Sequence, residues 1–231
     1  MSVIALVPAF NEAERIGATV RATMDIPGVD RVLVIDDASG DQTSERARDA
    51  GAEVLRLPSN LGKGAALDAG LTYVAEAADI LLLLDGDLAE SAAQAGILLG
   101  PVIRGEADMT IAAFPRPVGK AGFGLVKGLA RWGIARMGNG FRADAPLSGQ
   151  RALSRAAWSR VTPFAFGYGV EVALTIRALR AGLRVSEVPT TMSHAATGRD
   201  MAGFMHRGRQ FVHVARALLR LAFEPSPIGR A

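Results

Sequence analysis

Short apolar runs alternate with polar, helix-compatible stretches along the first half of the chain. Val3–Val7 is β-branched and aliphatic and stops at Pro8, and Asn11 is placed to cap a following helix with Glu12 and Glu14 in its first turn. Arg31–Ile35 is a second run, closed by Asp36, Asp37 and Asp41. Residues 42–50 read as helix, with Gly51 where a C-terminal glycine belongs. Ala52–Leu57 is a third strand ending at Pro58. Asn60-Leu-Gly-Lys-Gly64 then leads into a helix over about 64–77. Asp79–Leu84 is apolar on both faces, as a central parallel strand is, and ends at Asp85-Gly86-Asp87. Strands and helices alternating at this spacing predict an α/β fold, a mostly parallel central sheet flanked by helices in a single domain. In such sheets ligands gather at the carboxyl ends of the strands. Here those ends carry Pro8–Glu12, Asp36–Asp41, Asn60–Gly64 and Asp85–Asp87.

Composition sharpens this picture. A chain of 231 residues, 49% hydrophobic and 21% charged, has ample core and is not a disordered chain. It has no cysteine, which removes disulfides, thiolate catalysis and Cys-ligated metals. No apolar run reaches the roughly 18 residues of a membrane span, and no signal peptide is evident, so a cytoplasmic protein is expected. The net charge of +3 hides a split. Residues 1–108 carry 8 basic and 18 acidic side chains, a net of −10; the remainder carries 18 basic and 5 acidic, a net of +13. This divides the chain into an acidic half, 1–108, a basic half, 109–223, and a loose tail, 224–231.

The chemistry-bearing residues sit at the predicted strand ends. Asp85 and Asp87, separated by Gly86, leave a buried strand together and repel each other unless a cation lies between them. Hard oxygen ligands of this kind suit Mg²⁺ or Mn²⁺; a solvated acidic turn is the plain alternative. Lys63, one of three lysines, lies between glycines at a helix start, where anions are favoured. Asn60 capping that helix, with Lys63 solvated, is its plain counterpart. Of Asp36 and Asp37, one is expected to contact ligand and the other to support its loop.

Val7-Pro-Ala-Phe-Asn-Glu12, Val34-Ile-Asp-Asp-Ala-Ser-Gly-Asp41, Asn60-Leu-Gly-Lys-Gly64 and Leu84-Asp-Gly-Asp87 occur in this order over residues 3–88. Together they resemble family 2 glycosyltransferases of the GT-A fold. The resemblance implies a nucleotide-sugar donor in the first half, UDP-linked with GDP-linked as the alternative. Pro8, Ala9, Phe10, Glu12 and Asp37 would then contact the nucleoside, and Lys63 the base or diphosphate. Asp85, Gly86 and Asp87 would form the metal-binding Asp-x-Asp that bridges the ion to the diphosphate, with Asp87 at the reacting centre.

The second half is expected to carry the acceptor. No acid lies between Asp108 and Asp144, but Arg116, Lys120, Lys127, Arg131, Arg136 and Arg142 do. Apolar residues recur there at helical spacing among many glycines. A mobile loop over substrate, a basic interfacial helix at an anionic membrane, and an ordinary packed helix all fit. Leu147–Arg151 reads as a return strand into a turn, and its Ser148, Gly149 and Gln150 match a segment that lines the donor-sugar and acceptor site in family 2 enzymes. Gly167-Tyr-Gly-Val-Glu171 leads into a helix over Val172–Leu179. Glu171 there stabilises the helix start, serves as a general base, or binds acceptor hydroxyls. This segment is similar to glucosyl-3-phosphoglycerate synthases. In those the matching Glu lies in the acceptor region and the anomeric configuration is retained, a route that needs no enzymic base. Leu183–Val188 reads as another strand, and the same resemblance makes His194 the third metal ligand beside Asp85 and Asp87. Arg199 suits a diphosphate or an acceptor phosphate, and Arg207 the acceptor. A helix over Phe204–Leu219 is expected to pack through Phe211, Val212, Ala215, Leu218 and Leu219 and to present a basic face.

These residues predict a metal-dependent transfer of a sugar from a nucleoside diphosphate to an anionic acceptor, such as a phosphorylated small metabolite. A polyprenyl-phosphate acceptor met at the inner face of the membrane is the alternative. A nucleotidyltransferase is a second alternative, disfavoured because Pro8–Glu12 stands where a Gly-rich basic loop would follow the first strand. Nucleic acid is not an expected partner despite the pI of about 9.8. A peripheral membrane contact and a homodimer are left open.

Overall fold

The computed structural model describes residues 1–114, 124–165, 167–192 and 201–224, without the side chains of Tyr168 and of 201–209. Seven strands form one sheet: β1 (Val3–Ala9), β2 (Arg31–Asp36), β3 (Glu53–Arg56), β4 (Ile80–Leu83), β5 (Met109–Ala113), β6 (Arg151–Ser154) and β7 (Val185–Pro189). Their order is β3-β2-β1-β4-β6-β5-β7. All neighbouring pairs are parallel except those of β6, which runs antiparallel to both β4 and β5. The α/β expectation is met, and strands from both halves of the chain share the sheet.

Alternation along β1 explains the layering. Val3, Ala5 and Val7 face one side and pack with α1 (Ile16–Met24), α2 (Thr43–Asp49) and α4 (Gly96–Ile103). Ile4 and Leu6 face the other side and meet α3 (Lys63–Val74), α6 (Arg155–Val161) and α7 (Val170–Arg180). A third cluster joins α7 to α5 (Leu125–Met137) and α8 (Met201–Phe223) through Ile134, Val172, Ile176, Val214, Leu218 and Leu221. The 125–137 stretch is thus a helix packed through one side, with Leu125 and Trp132 left exposed on the other, and residues 115–123 before it lie outside the described ones.

Several local expectations are corrected. Asn11 is not a helix cap. Its φ is +56°, α1 begins only at Ile16, and Glu12 and Glu14 precede that helix. Asn11 instead staples two loops: its amide donates to Ser39 Oγ at 2.9 Å and its Oδ1 accepts from the Gly40 amide at 2.8 Å. Asn60 does not cap α3, whose N-cap is Gly62. The 147–151 segment runs in the opposite sense to the one expected, a turn entering a strand, because β6 begins at Arg151. The apolar side assigned to the last helix is also wrong in part. Val214, Ala217, Leu218 and Leu221 are buried, whereas Phe211, Val212 and Leu219 are exposed. Both stripes are apolar, so periodicity alone did not choose between them.

Candidate active site

The carboxyl ends of β1, β2 and β4 converge, and the loops leaving them are tied by backbone-directed hydrogen bonds. Asp36 is fully buried and accepts from the Ser39 amide at 2.8 Å, from Ser44 Oγ, and from Arg56 Nη1 at 2.8 Å. Burial alone would raise its pKa, but these hydrogen bonds and the guanidinium hold it below 3.8. Asp36 thus supports its loop, the part expected of one member of the Asp36-Asp37 pair. Asp37 is buried too, and its two oxygens accept the Leu61 and Gly62 amides at 2.8 and 2.7 Å. It thereby fixes the turn that delivers Lys63.

Lys63 is the hub of the site. Its Nζ donates to Asp85 Oδ1 at 2.6 Å and to Glu171 Oε1 at 2.7 Å, the second a contact between residues 108 apart in sequence. Burial works to lower the ammonium's pKa, but the two carboxylates outweigh it and hold the pKa above 10.5. Gln150 Nε2 donates to the other oxygen of Asp85 at 2.7 Å, and Ser148 Oγ donates to Gln150 Oε1 at 3.2 Å. Gly149 lies between them with no room to spare. A Cβ there would stand 2.6 Å from Lys63 Nζ and 2.9 Å from both Asp85 carboxylate oxygens.

Asp87 and Glu12 extend the acidic side. Burial first, then the charges of Asp87, Asp41 and Asp85, raise the Glu12 pKa above 4.5 despite nearby Arg15. A Cβ on Gly86 would meet Ala9 Cβ at 3.3 Å, with Glu12 Cγ and the Pro8 carbonyl at 3.5 Å. Pro8, Ala9 and Glu12 therefore wall the Asp85-Gly86-Asp87 turn, while Phe10 is exposed beside them. Hard oxygen donors that repel one another fit Mg²⁺ or Mn²⁺. Among the described residues no three His, Cys, Asp or Glu side chains are grouped to hold a metal. His194 and Arg199 lie outside the described residues, and Arg207 falls on α8 with its side chain likewise outside.

Three supporting residues escaped the sequence reading. Thr19, buried on α1, donates from Oγ1 to the Gly86 carbonyl at 2.9 Å and accepts the Ala89 amide at 2.9 Å. Arg151 is fully buried. Its Nε donates to the Ser148 carbonyl at 3.0 Å and its Nη1 to Thr175 Oγ1 at 3.0 Å. Thr175 in turn donates to the Glu171 carbonyl at 2.9 Å. Burial pulls the Arg151 pKa down to about 10, against the nearby charges of Glu171 and Glu187. Arg151 thus couples the Ser148–Gln150 turn to the helix that carries Glu171. For Thr175 the available signal was a hydroxyl within the apolar run Val172–Ile176; Thr19 and Arg151 sit in mixed segments that carried none.

A sequence profile of glycosyl transferase family 2 matches residues 4–149. Glycosyltransferase AglJ of Haloferax volcanii is 33% identical over 86% of this chain. The match covers 65% of AglJ, so the chain spans less than two thirds of that relative. Undecaprenyl-phosphate mannosyltransferase of Micrococcus luteus is 29% identical over 94% of this chain and 93% of its own. The crystal structure of glucosyl-3-phosphoglycerate synthase from Mycobacterium tuberculosis, in complex with Mn²⁺, UDP and phosphoglyceric acid, superposes with a TM-score of 0.80. Its identity is 26%, covering 98% of this chain and 80% of the synthase. The loops after β1, β2, β3 and β4 all lie within the profile match, Gln150 and Glu171 lie beyond it, and the remaining strands and helices follow a solved enzyme's fold: the chain belongs to glycosyl transferase family 2.

Proposed function

We propose that this chain is a divalent-metal-dependent glycosyltransferase that moves a sugar from a UDP-sugar to an anionic, phosphorylated acceptor. The observation that carries the reading is the Asp85–Lys63–Glu171 bridge, which joins the donor loops to the acceptor half. The nucleotidyltransferase alternative falls with the family assignment.

Each residue has a definable task in this reading. Pro8, Ala9, Phe10, Glu12 and Asp37 line or brace the nucleoside side. Asp85 and Asp87, with His194, would hold Mg²⁺ or Mn²⁺, which as a Lewis acid stabilises the charge of a departing nucleoside diphosphate. Lys63 and Arg199 add fixed positive charge for the diphosphate. On donor entry Lys63 exchanges a carboxylate partner for a phosphate oxygen, which frees Glu171 toward the acceptor. Ser148, Gly149, Gln150 and Arg207 shape the acceptor side. Glu171 accepts a hydrogen bond from the incoming hydroxyl and so orients it. If the product is inverted, Glu171 takes that proton; if configuration is retained, orientation is its whole task. Product NMR at the anomeric carbon separates the two.

The likeness to an undecaprenyl-phosphate mannosyltransferase over nearly the whole of both chains favours a second reading, a polyprenyl-phosphate acceptor. The test is donor turnover with UDP- and GDP-sugars, with and without Mn²⁺, offering 3-phosphoglycerate and undecaprenyl phosphate as acceptors. Metal-dependent transfer to one acceptor is expected. Metal-independent turnover, or no turnover of any nucleoside-diphosphate sugar, sinks the proposal.

A further inference from the structure

The apolar stripe that α8 leaves in solvent adjoins a second one on α5. Leu218 packs on Gly133, where a Cβ would come within 2.3 Å of it. The residues next to this contact, Trp132 on α5 and Leu219 on α8, are both 62% exposed. At about 100° per residue each lies on the solvent side of the seam between the helices. Leu125 and Arg136 continue the stripe along α5; Val212, Leu219 and Phe223 continue it along α8, with Phe223 83% exposed. Arg216 and Arg220 flank it.

Charge on these helices is of one sign. Together α5 and α8 hold seven Lys and Arg and no Asp or Glu. The described acids at their margins are engaged: Asp144 pairs with Arg131 at 3.1 Å and Glu224 with Arg177 at 2.9 Å. A groove of about 740 Å³ beside Trp132, lined by Lys127, Arg131 and Arg142 with Asp144 as its one acid, extends the basic surface.

We infer that the α5–α8 face docks the protein on an anionic membrane surface, with Trp132, Leu219 and Phe223 entering the interface and the arginines meeting lipid phosphates. A second copy of this chain is a poorer occupant, because a two-fold contact sets the same cations against each other. No helix among the described residues is long and apolar enough to cross a membrane, so the contact is a surface one. This proposal does not depend on which acceptor the enzyme uses.

Co-sedimentation with phosphatidylcholine vesicles, with and without phosphatidylglycerol, tests it on the full chain. Binding to the anionic vesicles only is expected, weakening at least about tenfold between low and high salt. Trp132, exposed, should blue-shift on binding, and Trp132→Phe should remove that shift, since Trp158 is already buried. The triple variant Trp132→Ser, Leu219→Ser, Phe223→Ser should lose most binding, as should Arg136→Glu, Arg216→Glu, Arg220→Glu. Both should retain vesicle-free donor hydrolysis, a readout that fails separately if the proposed function is wrong. Equal binding to neutral vesicles, or binding to neither kind, overturns the inference. So does a dimer that buries Trp132, or capture of polyglutamate without vesicle binding.

Discussion

Gly149 has to be glycine for reasons of contact. Its α-hydrogen faces the Lys63–Asp85 ion pair at a distance where a methyl group would displace one of the two. Gly149→Ala should therefore leave the fold intact while shifting the ammonium or the carboxylate by several tenths of an ångström. Misplacement of that order near reacting groups costs roughly 10–100-fold in rate. Circular dichroism should match the parent, and kcat/KM for donor turnover should fall by about that factor. Parent-like kcat/KM would show that the pair is not held in the productive arrangement. Arg151 illustrates the opposite device at the same scale. It is a buried cation with no carboxylate hydrogen-bonded to it among the described residues, kept because its Nε and Nη1 hold two backbone-linked partners in register.

At the scale of elements, Asp36 ties the end of β2 to Ser44 on α2 and Arg56 on β3. Its folded-state pKa is held below 3.8, so the stability it contributes is fully present above that pH. That stability is lost as pH falls through the lower, folded-state value. Asp36→Asn should cost about 2 kcal/mol at pH 7. It should also flatten the acid limb of the stability curve, and urea melts from pH 2 to 7 would read both effects. A variant equally stable at pH 7, with an unchanged acid limb, would remove Asp36 from this role. Thr19 does comparable work between α1 and the Asp85-Gly86-Asp87 turn, through a carbonyl and an amide instead of a charge.

The whole molecule sets an acidic cluster at the strand ends and a basic two-helix face that packs on α7. Ligand that binds only the folded chain must stabilise it. UDP with Mn²⁺ at 100 times its dissociation constant is worth about 2.7 kcal/mol. For a chain of this size that is a rise in Tm of about 5–10 °C. Differential scanning fluorimetry should show the rise with both ligands together and lose it on chelation or in Asp87→Ala. A rise that survives chelation would separate nucleotide binding from the metal.

Much of this protein was determined by local sequence. Apolar runs set β1, β2 and β4, although β1 continues through Pro8 to Ala9 instead of stopping there, and position at a strand end marked Lys63, Asp85, Asp87 and the Pro8–Glu12 loop as the candidate residues. These signals are short-range, so they survive without knowledge of the fold. Tertiary structure decided the rest. It reversed the Leu147–Arg151 segment, because β6 begins only at Arg151, where pairing with β4 and β5 starts. It gave Asp36 to the loop and closed the Lys63–Glu171 bridge across 108 residues. It also chose which of two apolar stripes on α8 is buried, a choice that periodicity alone does not contain because either stripe satisfies it. Close packing of Leu218 on Gly133 and of Ala217 on Gly169 turns Leu219 and Phe223 outward.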